Sequence, residues 1–247
     1  MKNSSIKAIT FDFWSTLYRQ PTNRHERIKE LRIILEQYHQ QNIALDDFER
    51  ATKIAKTTWL QSWIEEYHTP NAQQWLEFVL AELNISIASN DKANIVQIME
   101  NSLLANRPHL VDNAAHILAD LSTRYKLAII SDTGTTPGRV LRQVLAHDEI
   151  LIYFSHLTFS DELGHSKPHH KPFLATLEQL DCQPAQAVHI GDLLRTDIQG
   201  AKNVGMRAIQ YTGFNEDTYS QTEVIPDAVI NSYEALNPLL AQWSTHT

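Results

Sequence analysis

Ile9-Thr10-Phe11-Asp12-Phe13-Trp14-Ser15-Thr16-Leu17 decides how this chain is read, because an apolar run delivers a carboxylate directly into a turn of small residues. Strands of a parallel sheet are buried on both faces and read as near-continuous apolar runs, and such sheets open their ligand crevices at the strands' carboxyl ends. Asp12 stands at such an end, where it reads as a nucleophile. The run containing it spans residues 6–13, and five more follow at 127–131, 157–160, 187–191, 207–211 and 228–230. Helical patterns separate most of them, which predicts an α/β fold with a mainly parallel sheet. Ser131 and Asp192 fall at strand ends as Asp12 does.

Between Leu17 and about Arg107 the pattern changes to helix with almost no strand signal and no glycine. Ile28, Leu31, Ile34, Leu35 and Tyr38 recur at helical spacing, as do Phe48, Ala51, Ala55, Trp59 and Trp63; Trp75, Phe78, Val79 and Leu83; and Ile95, Ile98 and Met99. Four amphipathic helices over 18–107 are expected, inserted in a core made of 1–17 and 108–247. Pro70-Asn71 separates the second helix from the third, and Asn90-Asp91 is expected to cap the fourth. The tryptophans fit the bundle core better than a binding pocket.

At 247 residues, with 43% apolar content, the chain suits one core of ordinary size plus an insert. The formal net charge is −8, and lysine and arginine are scattered, so neither nucleic acid nor an anionic membrane surface is a favoured partner. The single cysteine, Cys182, rules out an internal disulfide and reads as a surface or half-buried thiol. Met1-Lys2-Asn3-Ser4-Ser5 lacks the apolar stretch of a secretory signal, and no run reaches the length of a membrane span, so the expected compartment is the cytoplasm.

Three distant fragments complete a site around Asp12: Ala128-Ile129-Ile130-Ser131-Asp132-Thr133-Gly134, Ser166-Lys167-Pro168, and Val188-His189-Ile190-Gly191-Asp192-Leu193-Leu194-Arg195-Thr196-Asp197. In this order, over roughly residues 5–20 and 110–231, the chain resembles the haloacid dehalogenase-like hydrolase superfamily. The resemblance implies a Rossmann-like sheet core with an inserted α-helical cap domain of the C1 type, and hydrolysis through an aspartyl covalent intermediate on Asp12. It implies Mg²⁺ held by Asp12, the main-chain carbonyl of Trp14 and Asp192, with Asp197 as a further partner. It also implies a small, anionic substrate, and that Ser131 and Lys167 act electrostatically, so that Ser131, Asp132, Thr133 and Lys167 meet it. Lys171-Pro172 repeats Lys167-Pro168, but Ser166-Lys167-Pro168 matches the family spacing better, leaving Lys171 as a solvated first-turn lysine.

The family's phosphatases carry a second Asp two residues after the nucleophile, as general acid and base, where this chain has Trp14. Indole cannot shuttle a proton. The family's 2-haloacid dehalogenases carry an aromatic residue there, which makes a metal-independent dehalogenase the alternative, with a non-catalytic binding protein as a third reading. Gly191-Asp192 and Asp197 favour the Mg²⁺-dependent phosphatase, since the dehalogenases replace that arrangement with Ser and Asn. Asp132, where Asn is frequent, is a poor neighbour for phosphate and is expected to face a helix N-terminus near Thr133. His165, His169 and His170 cluster beside Lys167, either as metal ligands if their rings converge or as a replacement for the missing acid.

Overall fold

The computed structural model describes residues 5–21, 24–214 and 222–245. The start of the N-terminal segment read for a secretory signal, residues 1–4, lies outside them. Two compact units emerge. The first combines Met1–Gln20, Pro108–Asp132 and Leu145–Thr247; the second combines Pro21–Arg107 and Thr133–Val144.

The first unit is built on six parallel strands, β1 (Ala8–Phe11), β2 (Lys126–Ser131), β3 (Phe154–Phe159), β4 (Ala187–Gly191), β5 (Arg207–Tyr211) and β6 (Ala228–Ile230), in the order β3-β2-β1-β4-β5-β6. The expected parallel sheet is present and its described strands are all parallel. Chain order reverses between β1 and β4, and a sheet of this kind opens its crevice at that point. β1 is shorter than the apolar run that announces it. Asp12 N–H still donates to Ile190 O at 2.8 Å, but Ser15 then takes φ +56° and the backbone leaves the sheet. β3 begins three residues before its apolar signal, because an edge strand tolerates the exposed Ser155.

Ala128, Ile130, Phe173, Leu177, Ile198 and Ala208 pack into one apolar cluster in this unit. Cys182 is 8% exposed and belongs to the same cluster, so the thiol is buried rather than superficial.

The second unit is helical: α1 (Arg24–His39), α2 (Leu45–Glu65), α3 (Ala72–Leu83) and α4 (Ser89–Ala105). Leu31, Leu35, Phe48, Ala51, Ala55, Leu76, Val79 and Ile95 form its core, as their helical recurrence predicts. Trp63 is buried, while Trp59 and Trp75 are half-buried. Asn71 caps α3 through a reciprocal pair of bonds with Gln74. For α4 the cap expected from Asn90-Asp91 is absent: the N-cap is Ala88, which offers no side-chain bond, and Asn90 and Asp91 already lie in the first turn. The remaining helices are α5 (Ala114–Ser122), α6 (Gly138–His147), the single turn α7 (Ser160–Leu163), α8 (His170–Gln179), α9 (Gln199–Asn203) and α10 (Leu236–Thr245). Among the described residues, no helix is long and apolar enough to cross a membrane.

Candidate active site

β1, β2 and β4 end side by side, so Asp12, Ser131 and Asp192 meet through strand register alone. Asp12 is held from both directions. Its N–H is tied to β4, and beyond it the N–H groups of Leu17 and Tyr18 donate to Phe13 O at 3.0 and 2.9 Å, closing a tight turn. Trp14 sits within that turn, half-buried, its ring edge-on to Phe13 with centroids 4.8 Å apart.

Lys167 is 2% exposed and its ammonium has three protons to place. All are used: Nζ donates to Asp12 Oδ1 at 2.5 Å, to Asp197 Oδ1 at 2.7 Å and to Ile130 O at 2.9 Å. Its own N–H donates to Asp132 Oδ1 at 2.9 Å. Asp132 therefore holds the lysine's backbone. Lys171 is exposed, with Nζ 2.7 Å from His165 Nε2.

Asp197 is the most heavily bonded of the carboxylates. Oδ1 accepts from Lys167 and lies 3.2 Å from His189 Nε2, while Oδ2 accepts from Leu193 N–H at 3.0 Å and from Thr196 Oγ1 at 3.3 Å. A Cβ on residue 191 would lie 2.4 Å from Asp197 Cβ, so only glycine leaves room for this side chain. The Gly191-Asp192…Asp197 spacing thus has a steric cause.

One oxygen from each of Asp12, Asp192 and Asp197 lies within 4.8 Å of the others, and all three residues are buried. Burial pushes the Asp12 carboxyl up to about 7, against the pull of Lys167 and with a further push from Asp197. Burial, then Asp12 and Asp197, raise Asp192 well above the ordinary carboxylate range. Asp197 goes the other way: burial would raise it, but Lys167 and His189 hold it low. Burial likewise works against the Lys167 charge, and Asp12, Asp197 and Asp132 together outweigh it and raise the ammonium pKa. A set of buried, mutually repelling, all-oxygen donors suits a hard divalent cation.

Ser131 closes β2, is 2% exposed, and has Oγ 3.5 Å from Asp132 O. Thr133 is buried and follows Asp132, at the start of the segment that belongs to the second unit. His165, His169 and His170 do not converge. Their rings stack, with successive centroids 4.3 Å apart and planes tilted by 11° and 27°, and His169 Nδ1 accepts from Lys171 N–H at 3.2 Å. Burial, then His165, His170 and Lys171, lower the His169 pKa.

The pattern of motifs does not anticipate His189. It lies fully buried in β4, beside Thr10 of β1. The available signal was a polar residue in the middle of each of two apolar strands, Ile9-Thr10-Phe11 and Val188-His189-Ile190.

The sequence profile of the haloacid dehalogenase-like hydrolases matches residues 6–205. The chain belongs to that family. It is a hydrolase. A glyceraldehyde 3-phosphate phosphatase of Pyrococcus abyssi is 38% identical over 87 residues, which cover 35% of this chain and 35% of that protein. The match therefore spans only about a third of that relative. A protein of the same name from Methanopyrus kandleri is 24% identical over 83% of both chains. Among solved structures, a 2-haloacid dehalogenase of Pseudomonas syringae shares the fold, with a TM-score of 0.69, 21% identity, and coverage of 96% of this chain and 99% of its own.

Proposed function

We propose that this hydrolase is a Mg²⁺-dependent phosphatase that acts on a small, anionic phosphate ester through an aspartyl intermediate on Asp12. One observation carries the reading: three buried carboxylates face a single buried ammonium. A metal-free site would bear the cost of Asp192 with no return, whereas a divalent cation offsets it. The phosphatases among its relatives support the same reading.

Asp12, Asp192 and the Trp14 carbonyl are the residues we assign to the cation. Asp197 works from behind them, since four donors already occupy its oxygens. When bound, Mg²⁺ neutralises charge on the carboxylates and on the phosphoryl oxygens. Lys167 aims Asp12, whose free oxygen attacks phosphorus and expels the ester oxygen, and Ser131 Oγ–H donates to a phosphoryl oxygen. Water then cleaves the aspartyl phosphate to release phosphate and regenerate Asp12. We assign the helical residues 18–107 as the cap domain and the cytoplasm as the compartment.

The test is hydrolysis of p-nitrophenyl phosphate, a panel of alkyl phosphates and 2-chloropropionate, each with Mg²⁺ or with chelator. Phosphate release that needs Mg²⁺ and vanishes in Asp12→Asn, with a phosphoryl group that can be trapped on Asp12 of the unmodified protein, is the expected result. Chloride release in chelator would install the dehalogenase, the second reading that Trp14 favours. Trp14→Asp sharpens the choice. General acid help is worth roughly 10²- to 10⁴-fold, so the folded variant should gain more on alkyl than on aryl phosphates.

A further inference from the structure

The Lys167–Asp197 pair leads back to a second pair that takes no part in the chemistry described above. Thr10 and His189 face each other in register on β1 and β4, with Thr10 Oγ1 2.8 Å from His189 Nδ1. On the other side of the ring, Nε2 lies 3.2 Å from Asp197 Oδ1. Phe173 meets the imidazole edge-on at 5.2 Å, and a Cβ on residue 200 would come within 2.4 Å of Phe173, so the ring is packed from behind.

A neutral imidazole has one donor and one acceptor nitrogen, and the neighbours decide which is which. Asp197 accepts only, so the nitrogen facing it must carry the proton. Nδ1 is then a bare acceptor, which suits the Thr10 hydroxyl. That hydroxyl has one proton to give, and its other acceptor, Val188 O, is at 3.5 Å, beyond good hydrogen-bond reach. An imidazolium would add a second cation to a carboxylate that Lys167 already neutralises.

We infer that Thr10 and His189 are positioning residues: Thr10, donating to Nδ1, reinforces the Nε2–H tautomer that Asp197 requires, and His189 in turn orients Asp197, which holds Lys167 on the nucleophile Asp12. The order is Thr10 to His189 to Asp197 to Lys167 to Asp12. The pair touches neither substrate nor cation. Its effect on turnover rests on the phosphatase reading; its proton placement does not.

The test therefore has two arms. A long-range ¹H–¹⁵N spectrum of labelled protein, with the His189 peaks assigned by their loss in His189→Gln, should show Nε2 protonated and Nδ1 bare; protonated Nδ1 overturns the proposal. Thr10→Val, nearly isosteric, should weaken that preference and Thr10→Ser should keep it; a tautomer untouched by Thr10→Val removes Thr10 from the chain of influence. In the second arm, p-nitrophenyl phosphate and Mg²⁺ are used. Loss of a partner that orients a site ligand typically costs 10- to 100-fold, so His189→Leu should lower kcat by about that factor with KM unchanged. His189→Gln, which restores an N–H near Nε2, should recover most of it. Equal losses in Leu and Gln, or a change confined to KM, overturn positioning. If the unmodified protein leaves this ester intact, the phosphatase reading falls, and the tautomer spectrum alone decides the proposal.

Discussion

Every buried charged side chain among the described residues lies in the first unit, as Asp12, Lys167, Asp192 and Asp197, with the titratable His189 beside them. Among the described residues, the buried polar side chains of the helical unit are the hydroxyls Thr52, Thr69, Thr133 and Thr136. One region is held by apolar packing, which is non-directional and tolerant of substitutions that conserve volume. The other adds to its apolar core a charge balance in which each member is tolerable only because of its neighbours. Stability and chemistry are separable in the first case and inseparable in the second.

Lys167→Met should show the largest effect. It strips the counter-charge from Asp12 and Asp197, and breaking a buried pair typically costs about 3–5 kcal/mol. Urea unfolding should show that loss, and turnover should be abolished in whatever remains folded. Adding Asp12→Asn should recover part of the stability and none of the turnover. Simple additivity of the two changes would break the contrast drawn here.

Leu76→Ala probes the other region. Leu76 is fully buried in α3, and truncating such a leucine costs about 2–5 kcal/mol. Its signature should differ: a lower unfolding midpoint with kcat per folded molecule unchanged. A fall in kcat without a matching loss of stability would show that the helical packing is also tuned for the chemistry.

The smallest effect concerns the imidazole stack. His169 has its pKa below the ordinary 6.5, first through burial and then through His165, His170 and Lys171. The unfolded chain therefore takes up this proton first on acidification. The stability held by the neutral ring is present above pH 6.5 and is lost as pH falls through the folded value. An NMR titration should place the His169 midpoint below those of exposed histidines, and Lys171→Met should raise it slightly. A midpoint at or above 6.5 would refute the assignment.

These contrasts also explain what the sequence discloses. The helical unit is legible because a recurring apolar stripe is a local property, so Leu31, Phe48, Leu76 and Ile95 announce themselves as core. β4, β5 and β6 end where their apolar runs end, for the same reason. Asp12, Lys167, Asp192 and Asp197 are found by motif. The bond that Lys167 N–H gives to Asp132 is not, because only the folded loop supplies that backbone donor. His189 and Thr10 escape for a related reason: each is unremarkable in its own strand, and their meaning arises from a register linking residues 179 apart. The missing α4 cap at Asn90 shows the converse, a good local signal that the chain does not use.

The central position of β1 has a consequence for biogenesis. β1 is synthesised before the other described strands, yet in the sheet it lies between β2 and β4, and its β4 partners are made almost 180 residues later. Contacts of such sequence separation are slow to form, because the intervening loop must close before they contribute. The helical unit draws most of its residues from one continuous stretch, Pro21–Arg107, and can collapse while the ribosome is still translating β2. Until β4 emerges, β1 is an apolar strand with one open edge, and until Lys167 emerges its carboxylate has no lysine to meet it. The nascent chain is then most exposed to aggregation and to chaperones.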